Sequence, residues 1–549
     1  MNFIAEESAQ KLRGGYYTPV DLATFLTQWV KETKPKKILE PSCGDGIFFD
    51  ALAQSRMKSV EVLGFELNED EAGKAQQRAS ELGFGKANIH VQDFLEWALK
   101  EIRKGDGRER FDAVIGNPPF VRYQYLPKPF QVRAEKIFHQ LDLKFTKHTN
   151  AWVPFILASM ELLKPGGRLA MVVPAEIIHV THAQSLRTYL GSVCRRLVII
   201  DPEELWFSDT LQGAVILLAE KREADSDHCQ GLGIYPVKGR EFLGMTPSTV
   251  FNAPHAMNGK TVEGKWTRAL LDEETRNLFD EVGSLQKVHT FRDIADVDVG
   301  IVTGANKFFL VPDETVDEFD LHDFAHPMFG RSEHCPGIIY DRKQHKANAK
   351  KGSPTNFLWF PESELEAPAK AYIREGEREG LHTRYKCRIR SPWYRVPSVY
   401  STEIGLLKRS HDTPRLILNK IGAYTTDTAY RIRTRTVEAE HLVGCFINPL
   451  TALSAELESR HYGGGVLELI PSEIERLLIP VPEVTIDLAQ LDKNIRTMEV
   501  RRILEEQGAI VLGALGLSKM KQELLLDGWR KLKDRRQRTS SDELEESAL

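Results

Sequence analysis

Asn117-Pro118-Pro119-Phe120 constrains what this chain can fold into more than any other stretch. It follows the apolar run Phe111-Asp-Ala-Val-Ile115 after a single glycine. Two prolines remove two backbone donors, and each holds the preceding residue in extended geometry. A strand ending this way can neither continue as sheet nor pass directly into a helix. The turn must therefore present acceptors, the Asn117 side-chain oxygen and nearby carbonyls, beside an aromatic face. That set suits a planar group carrying an NH2, such as the exocyclic amine of a base. Taken alone, the tetrapeptide is equally an ordinary proline-rich turn.

Upstream stands Lys37-Ile-Leu-Glu40-Pro41-Ser42-Cys43-Gly44-Asp45-Gly46, followed by an apolar helical run to Leu52. A strand, a glycine-bearing turn and a helix at the first crossover of an α/β sheet form a nucleotide-type site. The spacing is neither G-x-G-x-x-G nor that of a P-loop. Gly44 and Gly46 let backbone approach a ligand closely. A second strand, Glu61-Val-Leu-Gly-Phe65, ends in Glu66-Leu67, and a carboxylate there suits a ribose diol. A third, Asn88-Ile-His-Val-Gln92, ends in Asp93-Phe94, an acid and a ring suited to an adenine amine and its face. Each acid by itself is more commonly a solvated loop residue. Four strand ends in chain order, each with a plausible ligand group, are harder to dismiss.

These motifs together resemble the S-adenosylmethionine-dependent DNA adenine-N6 methyltransferases. Gly14-Gly-Tyr-Tyr17-Thr18-Pro19 resembles the motif that precedes the cofactor loop in the gamma-ordered subgroup, the TaqI and Eco57I type. Asn150-Ala-Trp152, Leu163-Lys-Pro-Gly-Gly-Arg168, Met171-Val-Val-Pro174 and Phe207 ahead of Gly213-Ala-Val-Ile-Leu217 are similar too. Phe120 stands where that family more often has Tyr, and Cys43, in a loop of usually small residues, reads as packing. The resemblance implies S-adenosylmethionine as cofactor. It would be held by Tyr17, Thr18, Pro19, Glu40, Pro41, Ser42, Gly44, Asp45, Gly46, Glu66, Leu67, Asp93, Phe94, Asn117 and Pro119. It implies Asn117, Pro118, Pro119 and Phe120 as the catalytic turn, with Phe207 as a second aromatic wall. The target adenine would be flipped out of the duplex. No metal is implied.

The expected architecture is α/β, a doubly wound Rossmann-like methyltransferase sheet with a C-terminal α+β target-recognition domain and a helical tail. Residues 14–222 alternate strand and helix patterns and form the expected catalytic domain. Residues 223–265, polar and broken by Pro, Asn and Gly, read as a crossover. Residues 266–485 are the expected recognition domain, 486–537 a charged helical region, and 538–549 an acidic, disordered tail. Net charge is −5, which does not announce a nucleic-acid binder, but its distribution does. Leu381 to Thr436 holds twelve Lys and Arg against three Asp and Glu. Expected contacts to double-stranded DNA are Arg388, Arg390, Trp393, Arg395, Lys408, Arg409, Arg415 and Lys420. Taken individually, Trp393 reads more readily as core.

Six cysteines form no C-x-x-C pair, so no disulfide frame or zinc site is indicated. No apolar run is long enough to span a membrane and no signal peptide is evident, so the expected location is the prokaryotic cytoplasm, with the nucleoid. The chain contains no Pro-Cys dipeptide, the nucleophile of cytosine-C5 enzymes. Alternatives stay open at this point: a non-catalytic DNA-binding specificity subunit, an RNA or protein-amide methyltransferase, and cytosine-N4 transfer. No nuclease constellation is found, so a restriction endonuclease sharing the target would be separately encoded.

Overall fold

The computed structural model describes residues 18–204, 206, 213–224, 226–257, 264–360, 365–462 and 465–537. Tyr17, Phe207 and the 538–549 tail lie outside the described residues. The chain divides into two compact units between Leu270 and Leu271.

The first unit is built on one eight-stranded sheet. In chain order its strands are β1 (Lys37–Glu40), β2 (Glu61–Glu66), β3 (Ala87–Val91), β4 (Phe111–Gly116), β5 (Leu163–Pro174), β6 (Cys194–Pro202), β7 (Ala214–Lys221) and β8 (Leu232–Val237). Their spatial order is β3-β2-β1-β4-β5-β7-β6-β8. Strands β3 to β5 pair in parallel, β7 runs against both neighbours, and β8 is parallel to β6.

Both faces are covered, and the strand sequences say why. Leu39, Leu63, Val114, Met171 and Val173 face one apolar cluster, while Ile38, Val62, Ala113, Ala170 and Val172 face the other. Successive side chains of a strand point to opposite faces, so a strand buried on both sides reads as a continuous apolar run. Helices α1 (Val20–Lys31) and α2 (Ile47–Gln54) cover the second face; α3 (Glu69–Glu81) follows β2 and buries Ala79 there. Helices α4 (Phe94–Arg103), α5 (Lys128–Gln140), α6 (Trp152–Leu162) and α7 (Gln184–Val193) cover the first. In α6 every residue but Glu161 is buried.

Leu163 to Gly167 already belongs to β5, directly after α6 ends at Leu162. The strand makes a bulge there, its register jumping from Phe111↔Leu163 to Ala113↔Arg168. Gly166 takes φ 72°, which fits the loop. Residues 223–265, expected as a crossover, supply β8. It is an edge strand, where Pro236 removes no ladder bond that a neighbour needs.

In the second unit a five-stranded sheet runs in the order 295–299, 429–434, 404–407, 416–419, 339–340. A four-stranded sheet, 310–311, 356–358, 325–329 and 424–425, accompanies it. Helices Pro449–Glu458, Val500–Val511 and Lys519–Arg536 complete the unit. Among the described residues no helix is long and apolar enough to cross a membrane.

Candidate active site

The carboxyl ends of β1, β2, β3 and β4 bring the predicted residues to one edge of the parallel half-sheet, where open α/β sheets bind ligands. Glu40 closes β1 with its side chain fully buried. Neither carboxylate oxygen has a hydrogen-bond partner among the described residues. Burial pushes its pKa well above the usual carboxylate range, and the nearby Asp45 and Glu66 carboxylates add to the shift.

The turn after β1 is tied to β2. Cys43 N–H donates to Phe65 O at 2.9 Å, and Gly46 N–H to Cys43 O at 2.8 Å. Gly44 N–H donates to Glu66 Oε2 at 3.0 Å, while Glu66 Oε1 accepts from Leu67 and Asn68 N–H at 2.9 Å each. Glu66 therefore welds the two loops together. Accepting three amide bonds still leaves a carboxylate lone-pair capacity. Burial raises the Cys43 thiol well above its usual value, with Glu40 and Glu66 adding to it, so Cys43 is a packed and inert side chain. Leu67 is exposed, and Pro41 is buried.

Gly46 opens α2 at φ 85°. A Cβ there would lie 2.8 Å from Ala75 Cα in α3, so the turn sits against that helix with no room for a side chain. Gly46→Ala is accordingly strained both in its backbone and in its contact. We expect cofactor affinity to fall at least about tenfold and the melting temperature to drop by several degrees. Calorimetric titration and a thermal melt check both.

Asp93 caps α4: its Oδ1 accepts from Leu95 N–H at 2.8 Å and Glu96 N–H at 3.2 Å. Its Oδ2 pairs with Arg133 Nη1 of α5 at 3.0 Å. Phe94 is in a different position from the one expected. Its ring is 2% exposed and packs against Phe65, Trp97 and Phe155, with centroids 5.6, 6.3 and 5.2 Å away. What this residue can offer a ligand is its main-chain amide in the first turn of α4, where helix N–H groups lack intrahelical partners.

At the end of β4, Asn117 O accepts from Ser42 Oγ at 3.0 Å, which joins the Asn117–Phe120 turn to the turn after β1. Asn117 Nδ2 donates to Thr18 Oγ1 at 3.1 Å, and Thr18 is 4% exposed. In this arrangement the amide nitrogen donates to the hydroxyl and the amide oxygen is left as an acceptor. Pro19 caps α1, Pro118 is buried, and Pro119 and Phe120 are half-buried.

The chain past Phe120 is braced by residues whose role the sequence did not reveal. Ala151 N–H donates to Val121 O at 2.9 Å, and Tyr123 N–H to Asn150 Oδ1 at 3.2 Å. Buried Glu176, just past β5, accepts from Asn150 Nδ2 at 2.7 Å and Trp152 Nε1 at 2.9 Å. The available signal was an acid directly after a buried strand, as at Glu40 and Glu66.

Among the predicted DNA contacts, the structure gives three an internal task. Arg390 donates to Thr303 O and Val302 O at 2.7 and 2.6 Å. Arg415, mostly buried, donates to Pro336 O at 2.8 Å. Burial lowers the pKa of both guanidiniums. Trp393 packs on Phe308 at 5.1 Å and donates to Glu377 Oε1 at 3.0 Å. Lys408 and Arg409 pair with Glu468, and Lys420 with Glu440. Arg395 is half-buried and Arg388 is exposed.

A seven-strand 3-2-1-4-5-7-6 core with ligand groups at the strand ends is the plan of a Rossmann-like methyltransferase, to which β8 is added at the edge. The family model described as the Eco57I restriction-modification methylase matches residues 52–206. A second, the C-terminal domain of the Type II methyltransferase M.Eco57I, matches residues 263–512. Together they span most of the chain, which belongs to the Eco57I restriction-modification methylase family. Type II methyltransferase M.AccI of Acinetobacter calcoaceticus is 24% identical over 516 residues, covering 90% of this chain and 89% of the relative. M.XamI of Xanthomonas campestris pv. amaranthicola is 22% identical over 490 residues, with 85% of each chain covered. Among solved structures, the type IIG restriction endonuclease BpuSI matches with a TM-score of 0.44 and 13% identity, over 97% of this chain and 67% of that one.

The cofactor is S-adenosylmethionine, and the strand-end residues fit it. A buried carboxylate with neither oxygen bonded suits a cationic ligand, and Gly44, where a Cβ would meet nothing within 4 Å, leaves open space beside the turn.

Proposed function

We propose that the chain is a site-specific DNA methyltransferase that methylates adenine N6, the modification enzyme of a type II restriction-modification system. The observation that carries this reading is the Asn117 amide. It stands at the end of β4 beside the glycine turn, its main-chain carbonyl joined to Ser42 and its NH2 to the Thr18 hydroxyl, which leaves the side-chain oxygen as an acceptor.

Bound S-adenosylmethionine supplies an electrophilic methyl on a sulfonium that leaves as a neutral thioether. Glu40 would face its positive charge, Glu66 its ribose, and Asp93 with the Phe94 amide its adenine. Asp45, Ser42 and Gly44 would line the turn. A target adenine flipped from the duplex would stack on Phe120. Its two N6 hydrogens would go to Asn117 Oδ1 and Pro118 O. Accepting both pulls the nitrogen toward tetrahedral geometry and localises its lone pair. The N–C bond forms as the S–C bond breaks, and one N6 proton is then lost to solvent. Proximity and orientation account for much of the acceleration.

Glu40 supports the cofactor role and yields a prediction of opposite signs. A carboxyl whose folded pKa is raised gives stability that is complete below the unfolded value and is lost as pH rises through the folded one. Glu40→Gln keeps the shape and removes the buried acid. The variant should melt several degrees higher near neutral pH than the parent, without the parent's fall in stability as pH rises. Its cofactor affinity should fall by about tenfold or more. Melting curves from pH 5 to 8 and titration calorimetry read the two effects.

The acceptor class is tested by offering tritiated S-adenosylmethionine with duplex DNA, with RNA and with protein extract. Label in DNA supports the reading. Label only in RNA or protein overturns it. A cytosine-N4 acceptor is the second reading, since its amine has the same two hydrogens.

A further inference from the structure

The stretch Gly380–Thr402 carries five Lys and Arg and no Asp or Glu, but its cations do different things. Arg390 turns inward to two backbone carbonyls. The short helix Tyr385–Arg388 is anchored by Cys387, its one buried residue. Residues four apart on a helix lie side by side, so Tyr385 and Ile389 share the side away from Cys387. Tyr385 is 63% exposed and Ile389 62%. Two large apolar side chains about one helical turn apart are thus both left in water.

The ring is framed by charge. Lys386 Nζ and Arg388 Cζ each lie 5.6 Å from the Tyr385 centroid. Arg384, Lys386 and Arg388 are exposed, and none of them is paired with a carboxylate among the described residues. Lys408 and Arg409, in contrast, share the carboxylate of Glu468, and Lys420 pairs with Glu440. An unneutralised cation triad around an exposed ring and an aliphatic group complements a polyanion that also offers flat apolar faces. Duplex DNA has both, phosphates outside and base steps within the grooves.

We infer that Tyr385 and Ile389 form a wedge pressed against the base steps of duplex DNA, with Arg384, Lys386 and Arg388 on the flanking phosphates. This rests on the proposal that the chain acts on DNA. The two kinds of contact leave different signatures. Phosphate contacts release counterions, so each lost cation reduces the slope of log affinity against log salt by about one. Stacking and wedge contacts release none.

The test uses the full chain and sheared duplex genomic DNA, with affinity measured across a salt series. Tyr385→Ala combined with Ile389→Ala should weaken binding about tenfold or more at every salt concentration, with the slope unchanged. Arg384→Ala, Lys386→Ala and Arg388→Ala together should flatten the slope by about three. Unaltered cofactor binding and melting temperature verify the fold of each variant. Wild-type affinity in the Tyr385/Ile389 variant overturns the wedge, as does a loss that appears only through the salt slope. Parent protein that binds duplex but transfers no methyl to it overturns the proposed function and leaves the wedge to be judged by these variants.

Discussion

Asn117→Ala should lower methyl transfer by about two to three orders of magnitude while leaving cofactor affinity near that of the parent. A preorganised hydrogen-bonding group aimed at the reacting centre typically contributes this much. The substitution removes the acceptor proposed for one N6 hydrogen and the donor that meets Thr18 Oγ1. It leaves the prolines that shape the turn. Asn117 O also remains to accept from Ser42 Oγ, so the link to the cofactor turn persists. Asn117→Asp keeps an oxygen acceptor and can still bond the Thr18 hydroxyl, but places a charge where the neutral amide stood, and should fall between the two. Single-turnover transfer at saturating cofactor separates the chemical step from binding. Parent-like turnover in Asn117→Ala would remove the residue from the mechanism.

Arg536→Ala should destabilise the second unit by about 3–5 kcal/mol, lowering its melting temperature by roughly 10 °C. Arg536, at the last turn of the helix Lys519–Arg536, and Glu456 both have fully buried side chains. Nη2 meets Glu456 Oε1 at 2.7 Å and Nε meets Oε2 at 3.0 Å, a two-pronged pair. The guanidinium also donates to His411 O at 2.8 Å, to Asp412 O at 3.1 Å and to Gly465 O. It thus ties the C-terminal helix to three other segments of the chain. Truncation leaves Glu456 buried without the guanidinium that offsets its burial, together with orphaned carbonyls. Arg536→Met with Glu456→Leu removes both charges and should recover most of the loss, because a buried pair contributes little beyond a well-packed apolar one. Chemical denaturation of the two variants measures the difference. Equal losses in single and double variants would show that the carbonyl bonds, not the ion pair, hold the helix.

Much of the first unit was legible because its strand ends are punctuated by residues with few other uses. Glu40 before a glycine turn, Glu66, Asp93 and Asn117 before two prolines each mark where a strand stops and what it presents. The runs between them are apolar on both faces, as a sheet covered by helices requires. β8 was not legible, since six residues with Pro236 near the end read as loop until paired with β6. Nor was Glu176: its partners Asn150 and Trp152 lie on a preceding segment, and only the fold brings them together.

The recognition side was less legible for a physical reason. A count of Lys and Arg gives the charge of a segment and not the direction of any side chain. Arg390 and Arg415 satisfy backbone carbonyls, and Lys408 and Arg409 meet Glu468, a residue some sixty positions later. Phe94 illustrates the same limit, since an aromatic at a strand end can as readily complete the core as line the cleft.

The central claim is that this turn directs a methyl group to the exocyclic amine of adenine. The most direct measurement incubates purified protein with unmethylated genomic DNA and S-adenosylmethionine, then digests the DNA and separates its nucleosides. The account predicts N6-methyladenine, absent from the Asn117→Ala control. N4-methylcytosine as the product, or no methylated nucleoside from protein that binds the cofactor, would contradict it.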